Sequence, residues 1–487
     1  MNDNRPTTQP SLRDHTSRIR HLDSARAREI VALFRRPIPA TGPTVFHDRH
    51  DTLETRDHLV AATKGEVVLG RLGTGTAEGI IGHHATHLYL HEVIRLPLSV
   101  ARELAQHRGH LYLDKLRSIT DSVATELGNH AGGGLSLNNL RWLSIAAAWA
   151  LGRHDGQLSL NRLKHLDDDV ALGLAQHDNE LYLWGLKQLS PGVAAALSHH
   201  RGDLFLDGLS RLPSRVATHL ARHCGKLHLH GIPRLKEAAA RALGSRSGHL
   251  CLRGLKSLSP TEAQLLAEHR GPLYLNAVEI TDAVVHSLGQ HQGSLSLSPP
   301  NGIADHHLAA LVRHVGPLSL GGLKKLHQRT ATILASQQGP RGIAGLSGLF
   351  VNDVEHVTPP VAAILATHRA GELSLNGITL LTEDTARELV RHPLLTLDGV
   401  ASVTDRVAGI LASHSGGTLS LRGLRHVSPS GLAKLRQNPG IELARWLRID
   451  ATAPAGSTAP RHPTHAEMIA AIARIAQAGE DALSINT

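Results

Sequence analysis

The sequence predicts an α/β solenoid of about fifteen units, each about 23 residues long, and three observations carry that prediction. An L-x-L triplet recurs almost every 23 residues, with its first leucine at Leu88, Leu111, Leu135, Leu158 and onward to Leu419. Phe, Tyr and Trp make up only 2% of the 487 residues while 41% are hydrophobic, so leucine and alanine must build the interior. Gly and His recur at fixed offsets from the triplet instead of clustering in motifs.

Each unit reads in one order, as in LSLNRLKHLDDDVALGLAQHDN from Leu158. The triplet alternates with period two, so it is a short strand with both leucines on one side and the middle residue on the other. Leucines follow at offsets +5 and +8, here Leu163 and Leu166. Offset +9 is commonly Ser, Thr or Asp, which are preferred helix N-caps. Ser190-Pro191, Ser259-Pro260, Thr358-Pro359 and Ser428-Pro429 add proline at the first helical position, where no hydrogen bond is lost. Ala at +13 and Leu at +16 form one apolar stripe on a short helix. Gly at +21 is expected to end the helix in a left-handed conformation.

A unit this short buries no core alone. Stacked, the units give a parallel strand ladder on the concave face, helices on the convex face and a continuous leucine interior. The interval from Leu318 to Leu349 is longer, 31 residues, and holds the insertion GPRGIAGLSG. A degenerate copy is expected near Val67, and Ile441-Glu442-Leu443 reads as a last partial strand.

With these motifs the chain resembles the leucine-rich repeat family, and its helix-end pattern AxxLAxH is most similar to ribonuclease-inhibitor-like and GALA-type repeats. The resemblance covers about residues 67–443. It implies full helices on the convex side. Such families place Asn three residues after the second strand leucine; here that position is mostly apolar, as at Leu163, Leu186, Leu209, Leu255, Leu323 and Leu424. The usual Asn ladder is therefore expected to be absent.

Around the solenoid, assigned to residues 63–450, the sequence changes character. Residues 1–62 are basic and proline-punctuated, with one amphipathic helix expected from Leu22 to Arg36. Residues 451–465 read as a flexible linker, and residues 466–487 as a short C-terminal helix.

Two features point toward function. The middle strand residue forms a column that contains all four tyrosines of the chain (Tyr89, Tyr112, Tyr182, Tyr274) together with Phe205 and Phe350. Trp184 lies one position past its strand. Aromatics suit strand sites in any protein, but their scarcity elsewhere favours Tyr89, Tyr112, Tyr182, Trp184, Phe205 and Tyr274 as partner-binding residues. The second feature is histidine, 36 in all, eleven of them at offset +19. Arg246, Gln337 and Asn438 replace it there, so a donor to a carbonyl at the helix end explains the column better than a metal ladder does.

One local group suggests metal chemistry. His228 and His230 form an H-x-H pair, with Cys251 expected on the next strand and Asp207 on the preceding one; these residue types suit Zn²⁺. In a chain so rich in histidine, coincidence is the simpler account. GxxxxGK[ST], HExxH, GxSxG and paired CxxC motifs are all missing from the sequence. The net charge of +9 comes from scattered charges of both signs, which favours no specific nucleic acid.

The expected function is a non-catalytic interaction scaffold binding a protein partner through the concave face. No cofactor, catalytic residue or membrane contact is expected, and the chain is expected to be a monomer. Two cysteines and an N-terminus without an apolar segment favour a reducing cytoplasm. The alternatives are a metal-assisted hydrolase at His228, His230 and Cys251, and a structural scaffold without a ligand.

Overall fold

The computed structural model describes residue 28 and residues 88–444, apart from 91–92, 131, 277 and 338–347. The expected copy near Val67, the linker and the C-terminal helix lie outside the described residues, as does all of the Leu22–Arg36 helix except Arg28. Contacts divide the chain into two compact units, one containing residues up to Gly185 and the other beginning at Leu186.

Sixteen strands alternate with fifteen helices among the described residues. The first unit holds β1 (Leu88–Tyr89), β2 (Leu111–Tyr112), β3 (Leu135–Ser136), β4 (Leu158–Ser159) and β5 (Leu181–Tyr182). The second holds β6 (Leu204–Phe205), β7 (Leu227–His228), β8 (Leu250–Cys251) and β9 (Leu273–Leu275), continuing to β15 (Thr418–Leu421) and β16 (Ile441–Leu443). Within each unit neighbouring strands pair in parallel, in chain order, with like positions opposite: Leu88 faces Leu111 and Tyr89 faces Tyr112. Leu227 faces Leu250, and His228 faces Cys251. The long interval leaves this register intact, since Leu318 faces Leu349 and Ser319 faces Phe350. The partial strand expected at Ile441 is β16, which pairs with β15.

The interior is the leucine stack the periodicity predicts. In the repeat from Leu158, Leu158, Leu160, Leu163, Ala171 and Leu174 are all 0% exposed. Each fully buried leucine contributes roughly 1.5–3 kcal/mol, which the short strands and helices lack when isolated. Helix starts follow the caps: Thr120, Ser144, Ser190, Thr281, Thr382, Thr404 and Ser428 each accept a backbone N–H from three residues on. Ser259 forms a reciprocal capping box with Glu262. Asp167 and Thr358 make no such bond.

Two local devices differ from expectation. Of the described +21 glycines only Gly132 has a positive φ, 126°. Close approach explains others: a Cβ on Gly156, Gly225 or Gly316 would collide with the carbonyl of Gly133, Gly202 or Gly293 in the preceding repeat. Glycine there lets successive repeats pack, instead of reversing the chain.

The second difference is a polar ladder. The +5 leucines are buried as expected, but in several repeats the residue just after the L-x-L triplet does the bridging. Asn138 N–H donates to Asp114 Oδ1 at 3.1 Å, Asn161 N–H to Asn138 Oδ1 at 3.1 Å, and Trp184 N–H to Asn161 Oδ1 at 3.1 Å. Asn376, Asp398 and Arg422 repeat this on Asn352, Asn376 and Asp398. The serines of the middle column join in, with Ser136, Ser159, Ser374 and Ser420 donating to the same acceptors at 2.6–2.8 Å. No helix among the described residues is long and apolar enough to cross a membrane.

Candidate functional site: the strand-face column

Parallel register sets one middle residue beside the next, roughly 4.8 Å away, so like side chains stack. In the first unit the Tyr89 and Tyr112 rings lie 4.5 Å apart and nearly parallel. His110 extends that stack at 6.3 Å from Tyr112. Tyr182 meets Trp184 edge-on at 5.7 Å and donates its hydroxyl to Glu180 at 2.7 Å. In the second unit Phe205 stacks on His228 at 4.0 Å, and the Arg253 guanidinium sits 5.1 Å above the Tyr274 ring.

Stacking also hides much of the column. Tyr89 is 9% exposed, Phe205 5%, His228 5% and Cys251 2%. Tyr112, Tyr182, Trp184 and Tyr274 are half-buried. The six aromatics singled out in the sequence therefore differ in role: four offer surface, while Tyr89 and Phe205 brace their neighbours. Trp142 and Trp149, on the helix side near Ile145–Leu151, are more exposed and were not flagged by the strand pattern.

The potential metal ligands do converge. One donor atom from each of His228, His230 and Cys251 lies within 4.8 Å of the other two. Asp207 sits beside them: its Oδ1 is 3.4 Å from His230 Nδ1 and accepts the His230 backbone N–H at 3.1 Å. A second group that sequence reasoning missed, Asp282 with His306 and His307, is formed across adjacent repeats but is largely exposed.

The +19 histidines form a separate, buried column between helix end and next strand. His107, His130, His154 and His177 stack at 5.3–6.1 Å in the first unit. In the second, His200 stacks on His223, His269 on His291, His291 on His314, and His368 on His392. His291 escaped the strand count because its repeat is one residue short; counting three residues on from the helix leucine, Leu288, recovers it. The replacements donate to carbonyls of the preceding repeat. Asn438 Nδ2 reaches Ala412 O at 2.9 Å, Gln337 Nε2 reaches Gly316 O at 3.2 Å, and Arg246 bonds the carbonyls of His223 and Gly225. His414 Nδ1 likewise lies 3.0 Å from Val390 O.

Burial lowers the pKa of several imidazoles of this column. It pushes His130 down to about 3, helped by His154, His107 and His110. It holds His223 at about 4, helped by Arg246 and His200, and His314 at about 4, helped by His291. Backbone groups of Gly293, His291 and Pro317 pull His314 weakly the other way, but neither of its ring nitrogens closes a hydrogen bond of ordinary length and angle.

In-register parallel strands, one helix per repeat and an unbroken leucine interior decide the architecture. Each unit is a leucine-rich-repeat-like α/β array. No family model matches the sequence, and no curated protein matches it either. Among solved structures the chain is similar to a leucine-rich repeat protein of Leptospira interrogans, at 17% identity and a TM-score of 0.34, over 72% of this chain and 93% of that one. An internalin of Listeria monocytogenes shows 14% identity and a TM-score of 0.30, over 72% and 88%. Toll in its complex with Spatzle, from Drosophila, shows 12% identity and 0.28, and there 66% of this chain spans 54% of that one. The repeat geometry of the chain itself carries the assignment.

Proposed function

We propose that this leucine-rich-repeat-like chain is a non-catalytic scaffold that holds a protein partner on its strand face. The observation that supports the reading is the placement of scarce aromatics: every tyrosine of the chain lies in one strand column, and three of the four are only half-buried. Those rings are held by stacks, a carboxylate and a guanidinium, so little rotamer freedom remains to be lost on binding. Half-exposed Tyr and Trp edges with a charged rim are the composition of an interface hot spot.

The test is affinity capture with the full chain as bait, comparing wild type with Tyr112→Ala/Tyr182→Ala, with Tyr274→Ala, and with Trp142→Ala on the helix side. The expected result is a partner retained by wild type and Trp142→Ala and released at least tenfold by the strand-face variants. Partner loss with Trp142→Ala alone would place the interface on the helix side and overturn the reading.

A further inference from the structure

We propose that His228, His230 and Cys251 bind a thiophilic metal ion of the Zn²⁺ type on the strand face of the second unit. The inference is independent of the partner-docking reading.

Register brings the donors together. His228 and Cys251 occupy the same position on the paired strands β7 and β8, and His230 projects to the same side two residues after His228. Their donor atoms already lie within 4.8 Å of one another. A tetrahedral ion with bonds of about 2.0–2.3 Å to nitrogen and sulfur needs donors roughly 3.3–3.8 Å apart, which side-chain adjustment alone can reach.

Asp207 supplies the outer support. Its carboxylate lies 3.4 Å from His230 Nδ1, close enough to orient the ring, as carboxylates commonly do behind metal-bound histidines. Phe205, stacked at 4.0 Å on His228, walls off one side. Cys251 is 2% and His228 5% exposed, so the ion would sit in a site of low dielectric. Two imidazoles and a thiolate select for Zn²⁺ and against Mg²⁺ or Ca²⁺, which require oxygen donors. Binding converts the Cys251 thiol to thiolate and releases its proton to solvent. The Asp282, His306 and His307 group lacks sulfur, and its aspartate side chain is 84% exposed, which fits a surface ion pair.

The experiment uses the full chain stripped with a chelator, titrated with Co²⁺ as a spectroscopic stand-in and then with Zn²⁺. With so many histidines elsewhere, the decisive readout is the near-ultraviolet thiolate-to-cobalt charge-transfer band, which imidazole sites do not produce. The expected result is a band saturating at about one equivalent, the stoichiometry of a single site, and abolished by Zn²⁺. Cys251→Ser removes it and Cys224→Ser keeps it. Asp207→Asn weakens affinity about 10–100-fold. His230→Gln, at a side chain 19% exposed, provides a second arm if the buried serine variant does not fold, and should weaken the band at least tenfold at limiting Co²⁺. Absence of the band in the wild type, its survival in Cys251→Ser, or its unchanged strength in His230→Gln would overturn the proposal.

Discussion

Lowering the pH from about 7 to about 5 should unfold the repeat arrays, because the buried histidine column must charge when the chain is acidified. The groups are His130 in the first unit, near 3, and His154, near 4. In the second unit they are His223, His269, His314, His368 and His392, all near 4. His291 is lowered in the same direction, again chiefly by burial. An unfolded histidine titrates near 6.5. Each folded value is depressed, so below about 6.5 the unfolded chain binds more protons. The stabilisation is therefore complete above that pH and is lost as pH falls toward the folded values. For one imidazole dropping from about 6.5 to about 4 on folding, the loss between about pH 7 and pH 5 is about 2 kcal/mol. Summed over its five quantified histidines the second unit loses about 10 kcal/mol, within the 5–15 kcal/mol that holds a typical domain together. The first unit, with two, loses about 4 kcal/mol. Urea titrations followed by far-ultraviolet circular dichroism, at constant ionic strength through this pH range, measure the effect. The double variant His269→Leu/His314→Leu should lower the steepest slope by up to about 2.7 kcal/mol per pH unit, about 1.4 for each proton no longer taken up. A midpoint that stays constant down to about pH 5, or an unchanged slope in that variant, would refute the reasoning.

Two further outcomes test the scaffold. Leu220→Ala empties a 0% exposed position and should cost roughly 2–5 kcal/mol, with hydrogen-exchange protection lost first in its own and adjacent repeats. Asn138→Ala removes the acceptor of the Asn161 N–H and the Ser159 hydroxyl and should cost about 1–3 kcal/mol in urea denaturation, while Asn138→Asp, which keeps that acceptor, should cost clearly less.

Periodicity made the architecture legible because each repeat restates the same instructions. Leu at +16, the caps and the parallel register all follow from counting, and even the long interval obeys it. Counting alone does not say why a residue recurs. Gly at +21 read as a left-handed terminator, whereas Gly156 and Gly225 are there to admit a carbonyl of the preceding repeat. The polar ladder was masked for a related reason. The bonds of Asp114 and Asn138 run to the next repeat, 21–24 residues away, where no local pattern shows them. At the candidate site, register was enough to place Cys251 beside His228. The burial of Tyr89, Phe205 and Cys251 was not legible, since it depends on how deeply side chains stack once adjacent.

A ladder with steps of roughly 4.8 Å also restricts what each column can be. Identical charges repeated at that spacing in a buried place would repel, so a long column must be neutral or alternate donor with acceptor. The stacked imidazoles satisfy the first condition and the Ser with Asn or Asp network the second. Both recur from repeat to repeat, and where the imidazole is replaced Arg246, Gln337 and Asn438 still bond carbonyls of the preceding repeat, which is the mark of a structural device. The run Phe205, His228, Cys251, Tyr274 meets the first condition too, but it repeats no one side chain. In two of these repeats the position after the triplet departs as well: His230 and Arg253 stand where Asn or Asp is found elsewhere, while Asp207 still accepts the His230 N–H. In a repeat protein the interior tolerates substitution only where stacking permits it, and changes that add aromatic, imidazole and thiol groups do nothing for the ladder. Within the second unit, their concentration on β7 and β8 is what directs the metal proposal there, and not to the serine-rich repeats that follow.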